Sequence, residues 1–163
     1  MAKDISAVGA KIVFTGGSLD GLVISEFSDE GTPFDCPDVD VSTNEKNLNG
    51  EMISSRTPSV YPFSITVIPG SYSDAILHRA FAKNALNINN NASEDVDYID
   101  SVTITMPRQV ARGSSGYQGG APSFNTTVTF TNVRMKSGPT GPSTSAEGRM
   151  AARTYSFEAE NFI

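Results

Sequence analysis

The segment from Tyr61 to Leu86 constrains the fold of this chain more than any other. Its first part alternates apolar with polar residues, which is the period of a strand with one buried face. The apolar members are Tyr61, Phe63, Ile65 and Val67. Pro69 and Gly70 follow and end the strand, because neither residue continues a regular β-ladder.

An amphipathic helix is predicted directly after this strand, from about Tyr72 to Asn84. Ser71 is suited to the N-cap, and Asp74 takes the capping-box position three residues later. One apolar stripe at helical spacing follows, formed by Ile76, Leu77, Ala80, Phe81 and Ala85. This is the one segment with a helical period of such length, so we expect a single helix set against β-structure.

The other elements are predicted to be strands, at Ala10–Phe14, Leu22–Phe27, Val39–Asn44, Glu51–Thr57, Tyr98–Met106, Phe124–Met135 and Arg153–Ala159. Asn49-Gly50 predicts a tight turn between the third and fourth of these strands, in a hairpin around Asn47–Gly50. Loops are predicted at Asp29–Pro37, Asn87–Asp97, Arg108–Ser123 and Lys136–Gly148, because these segments are rich in Gly, Pro, Ser and Asn.

Several strands have one aromatic or aliphatic face and one face of Thr and Ser. Tyr98 is expected to face inward with Val102 and Ile104, as is Phe130 on a later strand. This alternation is typical of an antiparallel sheet with one side on a core. We therefore expect a mainly β fold, an antiparallel β-sandwich or barrel with one flanking α-helix and long loops, in a single domain over residues 1–163.

The composition excludes several classes of function. The formal net charge is −6 and the pI is about 4.7, which argues against nucleic-acid binding by charge attraction. One cysteine, Cys36, excludes an intrachain disulfide. We expect no secretory signal, because the beginning of the chain lacks a basic region followed by a long apolar run. No window approaches the ~20 apolar residues of a membrane helix.

Charge is sorted along the chain. Residues 20–51 carry nine acidic side chains, and their only cation is Lys46. Residues 101–153 carry six basic side chains, and their only anion is Glu147. Two interpretations stay open. The two regions lie on opposite ends of a subunit and allow copies to stack head to tail, or they are neighbours that neutralise each other within one subunit.

No arrangement of residues supports catalysis. His78 is the only histidine and lies four residues after Asp74, a spacing typical of a surface contact on a helix. With one His and one Cys, a catalytic triad or a Cys/His zinc site is not expected. Asp35, Asp38 and Asp40 lack the spacing of a calcium loop, so a solvated acidic loop is the simpler interpretation. We expect no enzyme activity, no cofactor and no metal.

Three parts of the chain together resemble the tail tube proteins of tailed bacteriophages, more the contractile type than the long flexible type. They are the Asn-Gly hairpin region from Val39 to Thr57, the strand–PGSYSD–helix segment from Tyr61 to Leu86, and the ending from Phe130 to Glu158. In the ending, Ser145-Ala-Glu-Gly-Arg149 leads into the aromatic strand Arg153-Thr-Tyr-Ser-Phe157.

The resemblance implies six copies in a ring whose strands join into one large barrel, with rings stacked into a hollow tube that genomic DNA crosses without specific binding. It implies a homo-oligomer in the virion tail, made in the host bacterial cytoplasm, with a tail sheath, a baseplate or initiator and a tape-measure protein as partners, and no membrane. Contacts between subunits and rings are expected at Asn47, Leu48, Asn49, Gly50, Arg108, Arg112, Ser114, Ser115, Gly116, Tyr117 and Arg149.

Two alternatives remain beside the phage tail tube. The tube of type VI secretion shares the fold that the resemblance implies. A non-catalytic β-sandwich that binds or adheres to a ligand would also be Thr-rich and acidic. Such a module commonly presents aromatic platforms and an export signal, and this sequence has no Trp.

Replacing residues 114–120 with a short linker is expected to abolish polymerisation and to leave the fold intact, because a Gly-rich loop of this length in a compact domain is typically functional. Electron microscopy measures polymerisation, and circular dichroism measures the fold. Unchanged tube assembly by the variant would contradict the assigned role of this loop.

Overall fold

The structure, a computed structural model, describes residues 9–27, 32–89, 97–106, 127–144 and 146–163. In this part of the chain one α-helix, α1 (Tyr72–Asn89), and one short 3-10 helix (Gly17–Leu19) are accompanied by nine strands. The strands are β1 (Lys11–Thr15), β2 (Val23–Ile24), β3 (Phe34–Asp35), β4 (Ser42–Lys46), β5 (Met52–Arg56), β6 (Tyr61–Val67), β7 (Ile99–Thr105), β8 (Thr127–Ser137) and β9 (Arg153–Phe162).

Seven of these strands form one antiparallel sheet in the order β2-β1-β7-β8-β9-β6-β3, and β4 and β5 form a separate two-stranded sheet. The predicted mainly β, antiparallel fold with one flanking helix is therefore confirmed. The large sheet is not a closed barrel, because among the described residues its two outer strands, β2 and β3, do not pair with each other.

Both edges of the large sheet are covered by strands of only two residues. β2 pairs with β1 at Ile24 and Val23, and β3 pairs with β6 through Phe34 and Asp35. The edge of β6 is occupied further by the N–H of Thr66, which donates to the carbonyl of Pro33 at 2.9 Å. Pro62 in the same strand has no N–H to offer. Short strands and edge prolines limit the addition of another chain at a sheet edge.

The core lies on the apolar face of the large sheet and is built around aromatic rings. Phe63 on β6 stacks on Phe130 of β8, with 4.4 Å between ring centroids, and on Phe157 of β9 at 5.2 Å. Phe14 of β1 packs against Phe157 at 5.7 Å. These pairs join four strands, and the inward direction predicted for Phe63 and Phe130 is confirmed, since each is at most 4% exposed; Phe157 is fully buried.

The prediction for Tyr98 was wrong. Tyr98 is 53% exposed, whereas Ile99 beside it is buried and pairs with Val133. Val102, the next buried residue of β7, comes three positions after Ile99 instead of two, so the alternation of the strand changes phase between them. Asn132 lies opposite this point in β8 with φ of 52°, and such a left-handed residue interrupts the regular pleat.

Several element boundaries differ from the predictions, among them those near residues 29–37 and at the end of the helix. The predicted loop at residues 29–37 contains β3, because Phe34 packs against Phe27, with ring centroids 6.4 Å apart, and against the core. This apolar contact gives the segment a fixed path despite its prolines. The helix runs to Asn89 and thus beyond the predicted end near Asn84, because no helix-breaking residue follows Asn84 before that point.

The beginning of α1 follows the predicted capping pattern. The Oγ of Ser71 accepts a hydrogen bond from the N–H of Asp74 at 3.2 Å. The Asp74 carboxylate reaches back to the N–H of Gly70 at 3.0 Å, one residue before the N-cap. Leu77 and Ala80 are buried against the sheet, as expected for the apolar stripe.

A buried polar cluster ties α1 to the last strand, β9. The Asp74 carboxylate is 6% exposed and accepts the hydroxyl of Tyr155 at 2.7 Å. The Nε of Arg153 lies 2.8 Å from the same carboxylate oxygen, Oδ1. The Nη2 of Arg153 also lies 3.1 Å from Nδ1 of His78, one helical turn after Asp74. One carboxylate thus caps the helix and holds two side chains of β9.

Ionisation of these groups follows from their surroundings. Burial raises the pKa of Tyr155 to about 12, helped by the hydrogen bond to Asp74 and opposed by Arg153. Burial lowers the pKa of Arg153, but the hydrogen bond with Tyr155 and the Asp74 charge outweigh it, so the net direction is upward. Tyr155 therefore stays protonated and Arg153 stays cationic at neutral pH, with the guanidinium facing the Asp74 carboxylate.

Asp74→Ala is expected to destabilise the protein by about 3 kcal/mol, because it leaves the Arg153 cation buried without its counter-ion. Tyr155→Phe keeps the ion pair and removes one hydrogen bond, so its expected cost is about 1 kcal/mol. Urea denaturation measures both values. An alkaline absorbance titration provides a control, since the tyrosine that ionises near pH 12 in the wild type is absent in Tyr155→Phe. Equal costs for the two variants would contradict this account.

Candidate assembly surface

The β4–β5 hairpin, called the arm below (residues 42–56), stands away from the core. Its strands pair from Ser42 with Arg56 to Lys46 with Met52, and the predicted hairpin around Asn47–Gly50 is present. Every residue of β5 and four of the five residues of β4 are exposed. Among the described residues, the arm pairs with no strand of the large sheet.

Asn47 builds the turn at the tip of the arm. Its side-chain oxygen accepts the N–H of Asn49 at 3.0 Å and the N–H of Glu51 at 2.9 Å. Its backbone carbonyl accepts the N–H of Gly50 at 3.0 Å. Gly50 has φ of 81°, a conformation that favours glycine. The tip is therefore a fixed turn that presents Leu48 outward.

The arm exposes large apolar side chains. Leu48 at the tip is fully exposed, and Met52 and Ile53 are 71% and 57% exposed. Val41 and Val60, which lead into and out of the arm, are also exposed. A two-stranded hairpin without a core is marginally stable in water, and clustered exposed apolar groups mark interaction sites. The arm is therefore best explained as a contact element for another protein surface.

The end of the large sheet from which the arm leaves is called the arm end. It is marked by Tyr61 at the beginning of β6 and by Phe162 at the end of β9, whose rings lie 4.7 Å apart. Phe162 is 53% and Ile163 80% exposed. These two side chains lie at the same end of the sheet as the base of the arm and add to the exposed apolar surface there.

The structure brings some of the predicted contact residues towards one end. Asn47, Leu48, Asn49 and Gly50 form the tip of the arm. Arg108, Arg112, Ser114, Ser115, Gly116 and Tyr117 lie outside the described residues, but the residues that flank this stretch, Thr105 and Thr127, pair with each other at the arm end. Arg149 lies elsewhere, in the connection from β8 to β9 at the opposite end, beside Met150, which bridges to Thr144.

Several basic residues of the C-terminal third are partnered within the subunit. Lys136 pairs with Glu158 at 2.9 Å, and Arg153 is engaged with Asp74. The guanidinium of Arg134 lies 5.2 Å from the ring centroid of Tyr98. Lys136 and Arg153 are thus neutralised inside the subunit, but by Glu158 and Asp74 and not by the acidic stretch of residues 20–51.

The titratable residues considered for chemistry are not arranged as a catalytic site. His78 contacts the Arg153 cation, which cannot act as the nucleophile that a general base requires. Partial burial of the sulfur and the Asp35 charge raise the pKa of Cys36, which lowers its thiolate fraction. Within the described ranges, no three His, Cys, Asp or Glu side chains cluster as metal ligands, and no helix is both long and apolar enough to cross a membrane.

The sequence did not predict that the arm exposes apolar side chains, and the residue pattern of the arm explains why. Met52 and Ile53 are adjacent and both exposed, so no period of two separates a buried face from a solvated one. Phe162 and Ile163 lie beyond the predicted end of the last strand. Adjacent apolar residues next to an Asn-Gly turn are the one signal that would have indicated exposed apolar surface here.

Comparisons with known proteins identify the family. The model of a family described as "Tail fiber protein gp32" matches residues 3–163. The chain therefore belongs to this family, and its class is that of tail-associated structural proteins. No curated protein matches the chain.

Solved structures from contractile injection systems have a similar fold. A chain of the sheath/tube terminator of the extracellular contractile injection system PVC has a TM-score of 0.56 at 16% identity, covering 99% of this chain and 96% of that chain. A chain of the PVC sheath–tube complex has 0.54 at 14%, covering 98% and 90%. A chain of the anti-feeding prophage tube-terminating cap has 0.54 at 11%, covering 100% and 91%. At such identities the likeness is one of fold.

Asn47→Ala is expected to loosen the arm without weakening the core, because two backbone N–H groups lose their acceptor. The local cost is about 1 kcal/mol, which corresponds to roughly fivefold faster amide exchange in residues 42–56. Hydrogen exchange read by mass spectrometry measures the arm, and the urea midpoint measures the core. Asn44→Ala is the matched control, since that side chain contacts only Ser42 at 3.5 Å. Equal exchange in both variants would contradict the assigned role of Asn47.

Proposed function

We propose that this chain is a non-catalytic structural protein of a contractile-type phage tail that self-assembles into hexameric rings. The rings stack into a hollow tube, and genomic DNA crosses its lumen during ejection without specific binding. The sheath surrounds the tube, and a baseplate or initiator and a tape-measure protein are its other partners. The protein acts in the tail of the virion after synthesis in the bacterial cytoplasm.

The arm is the observation that carries this proposal. It offers a fixed turn, a hydrogen-bonded two-stranded frame and exposed apolar side chains, and it has no core of its own. Burying Met52, Ile53 and Leu48 against a neighbouring subunit contributes about 1.5–3 kcal/mol for each side chain that is fully covered. Repeated in every subunit of a ring, that contribution is sufficient to order a hairpin that is marginal alone.

Two further observations support the proposal. The fold covers nearly the whole length of a chain from a sheath–tube complex, so no large domain is added or lost relative to it. The acidic net charge of −6 raises the cost of contact with DNA phosphates, as is required of a conduit to which DNA must not adhere.

A terminator is the second candidate, because two of the similar chains come from a sheath/tube terminator and from a tube-terminating cap. A terminator ring binds the last ring of a tube through one end and stops growth. The two candidates differ in what a pure protein does: a tube subunit propagates, whereas a terminator forms single rings. A tail fibre would be distinguished from both candidates by its shape, and a type VI tube by the secretion machinery that accompanies it.

Purified wild-type protein at high concentration is expected to form rings or tubes of constant diameter in negative-stain electron microscopy. The variant Leu48→Ser/Met52→Ser/Ile53→Ser is expected to remain unassembled with an unchanged urea midpoint, because these side chains lie outside the core. Val23→Ser is the matched control, since Val23 is 44% exposed on the large sheet, away from the arm.

The images also separate the candidates. Long tubes support the tube subunit, and single rings that block growth of preformed tubes support the terminator. A wild-type protein that stays monomeric at every concentration, alone and with an initiating ring complex, would contradict both candidates and favour the binding-module alternative. Assembly by the arm variant would contradict the role of the arm.

A further inference from the structure

The exposed side of α1 carries a basic stripe. Four exposed residues recur at spacings of three and four, so they share one face of the helix. They are Tyr72, Ala75, Arg79 and Lys83. Tyr72 is 77% exposed. This group is called the helix stripe below.

The two cations of the helix stripe have no counter-ion among the described residues. Asp74 is the acidic residue of the first turn of α1, but it is buried and engaged by Arg153 and Tyr155. It therefore does not neutralise Arg79, one turn further along. Two unpaired cations on one helix face are notable in a chain of net charge −6.

A complementary group of unpaired anions lies in β3 and directly after it. Asp35, Asp38 and Asp40 are exposed, and within the described residues none of their carboxylates forms an ion pair. Residues 35–40 contain no basic residue. These three residues are called the acidic segment below.

We propose that the helix stripe of one copy docks on the acidic segment of a second copy of this chain. The inference rests on the proposed self-assembly and names the surfaces that direct it. Arg79 and Lys83 are four residues apart on a helix, about 6 Å along its axis. Asp38 and Asp40 are two residues apart, at most about 7 Å in an extended chain. Each cation thus meets one carboxylate when the stripe lies along the segment.

The contact is heterologous, because it joins two different surfaces of identical subunits. Such a contact generates a ring when the rotation closes and a filament when it does not. Exposed ion pairs contribute little affinity each, so their role is to select the register and the partner. Tyr72 supplies an aromatic anchor at one end of the stripe, and the arm supplies most of the buried apolar area.

The proposal is tested by reversing the charges of each surface in turn and then those of both surfaces together. Arg79→Glu/Lys83→Glu places two negative charges against the acidic segment, and Asp38→Lys/Asp40→Lys places two positive charges against the helix stripe. Each variant is expected to raise the protein concentration required for assembly at least about tenfold. The quadruple variant that carries both reversals is expected to restore assembly, because the attraction between the two surfaces is re-formed with exchanged signs. Sedimentation velocity and light scattering measure the threshold.

The matched control is Lys11→Glu compared with Arg79→Glu, since both change the net charge by two units and Lys11 lies on β1, outside both surfaces. The proposal is supported if both double reversals weaken assembly and the quadruple variant restores it. If the wild type assembles and neither reversal affects assembly, this inference is overturned and the proposed function is left standing. The same conclusion follows if the quadruple variant fails to restore assembly. A wild-type chain that never self-associates overturns both.

Discussion

The structure depends on one buried carboxylate, that of Asp74. This group caps α1 through Gly70, holds the hydroxyl of Tyr155 at 2.7 Å and faces the guanidinium of Arg153 at 2.8 Å. A buried pair of charges is seldom a large source of net stability, but it allows only one arrangement of its partners. Here it fixes the rotation of the helix on the sheet. That rotation turns Leu77 and Ala80 towards the core and leaves the basic side of the helix facing solvent.

The alternation of apolar residues in strands and the capping residues of the helix account for most of what could be predicted from the sequence. The strand–helix segment beginning at Tyr61 has a clean alternation, two breakers and a cap, and all of these are present in the structure. β3 was missed because two residues carry no period, and its position depends on the contact of Phe34 with Phe27. The partners of Asp74 were missed because Arg153 and Tyr155 are distant in sequence. The change of phase in β7 was missed because Asn132 acts across the sheet, from a neighbouring strand.

The candidate site was predicted in part. The Asn-Gly pair indicated the hairpin, and the structure shows that the tip is built by Asn47 as much as by Gly50. The exposed apolar side chains of the arm follow no period that distinguishes a core face from a contact face. Sequence alone left open whether the charges of the C-terminal third are free for stacking, and in the structure Lys136 and Arg153 are paired within the subunit. Among the described residues, Arg79 and Lys83 of α1 form no ion pair, because Asp74, the acidic residue in the first turn of the helix, is turned inward.

The two short edge strands have a consequence for the life of the protein before assembly. A newly made subunit with an open sheet edge would collect any extended segment in the crowded cell, and a faulty contact of that kind is difficult to reverse. β2, β3 and Pro62 leave few backbone groups on which such a contact can begin. In the proposed assembly, association is left to side chains on the arm and on the helix, whose contacts are weaker one by one and can be released and corrected. A subunit of this construction tolerates storage at high concentration and still discriminates between a correct neighbour and a wrong one.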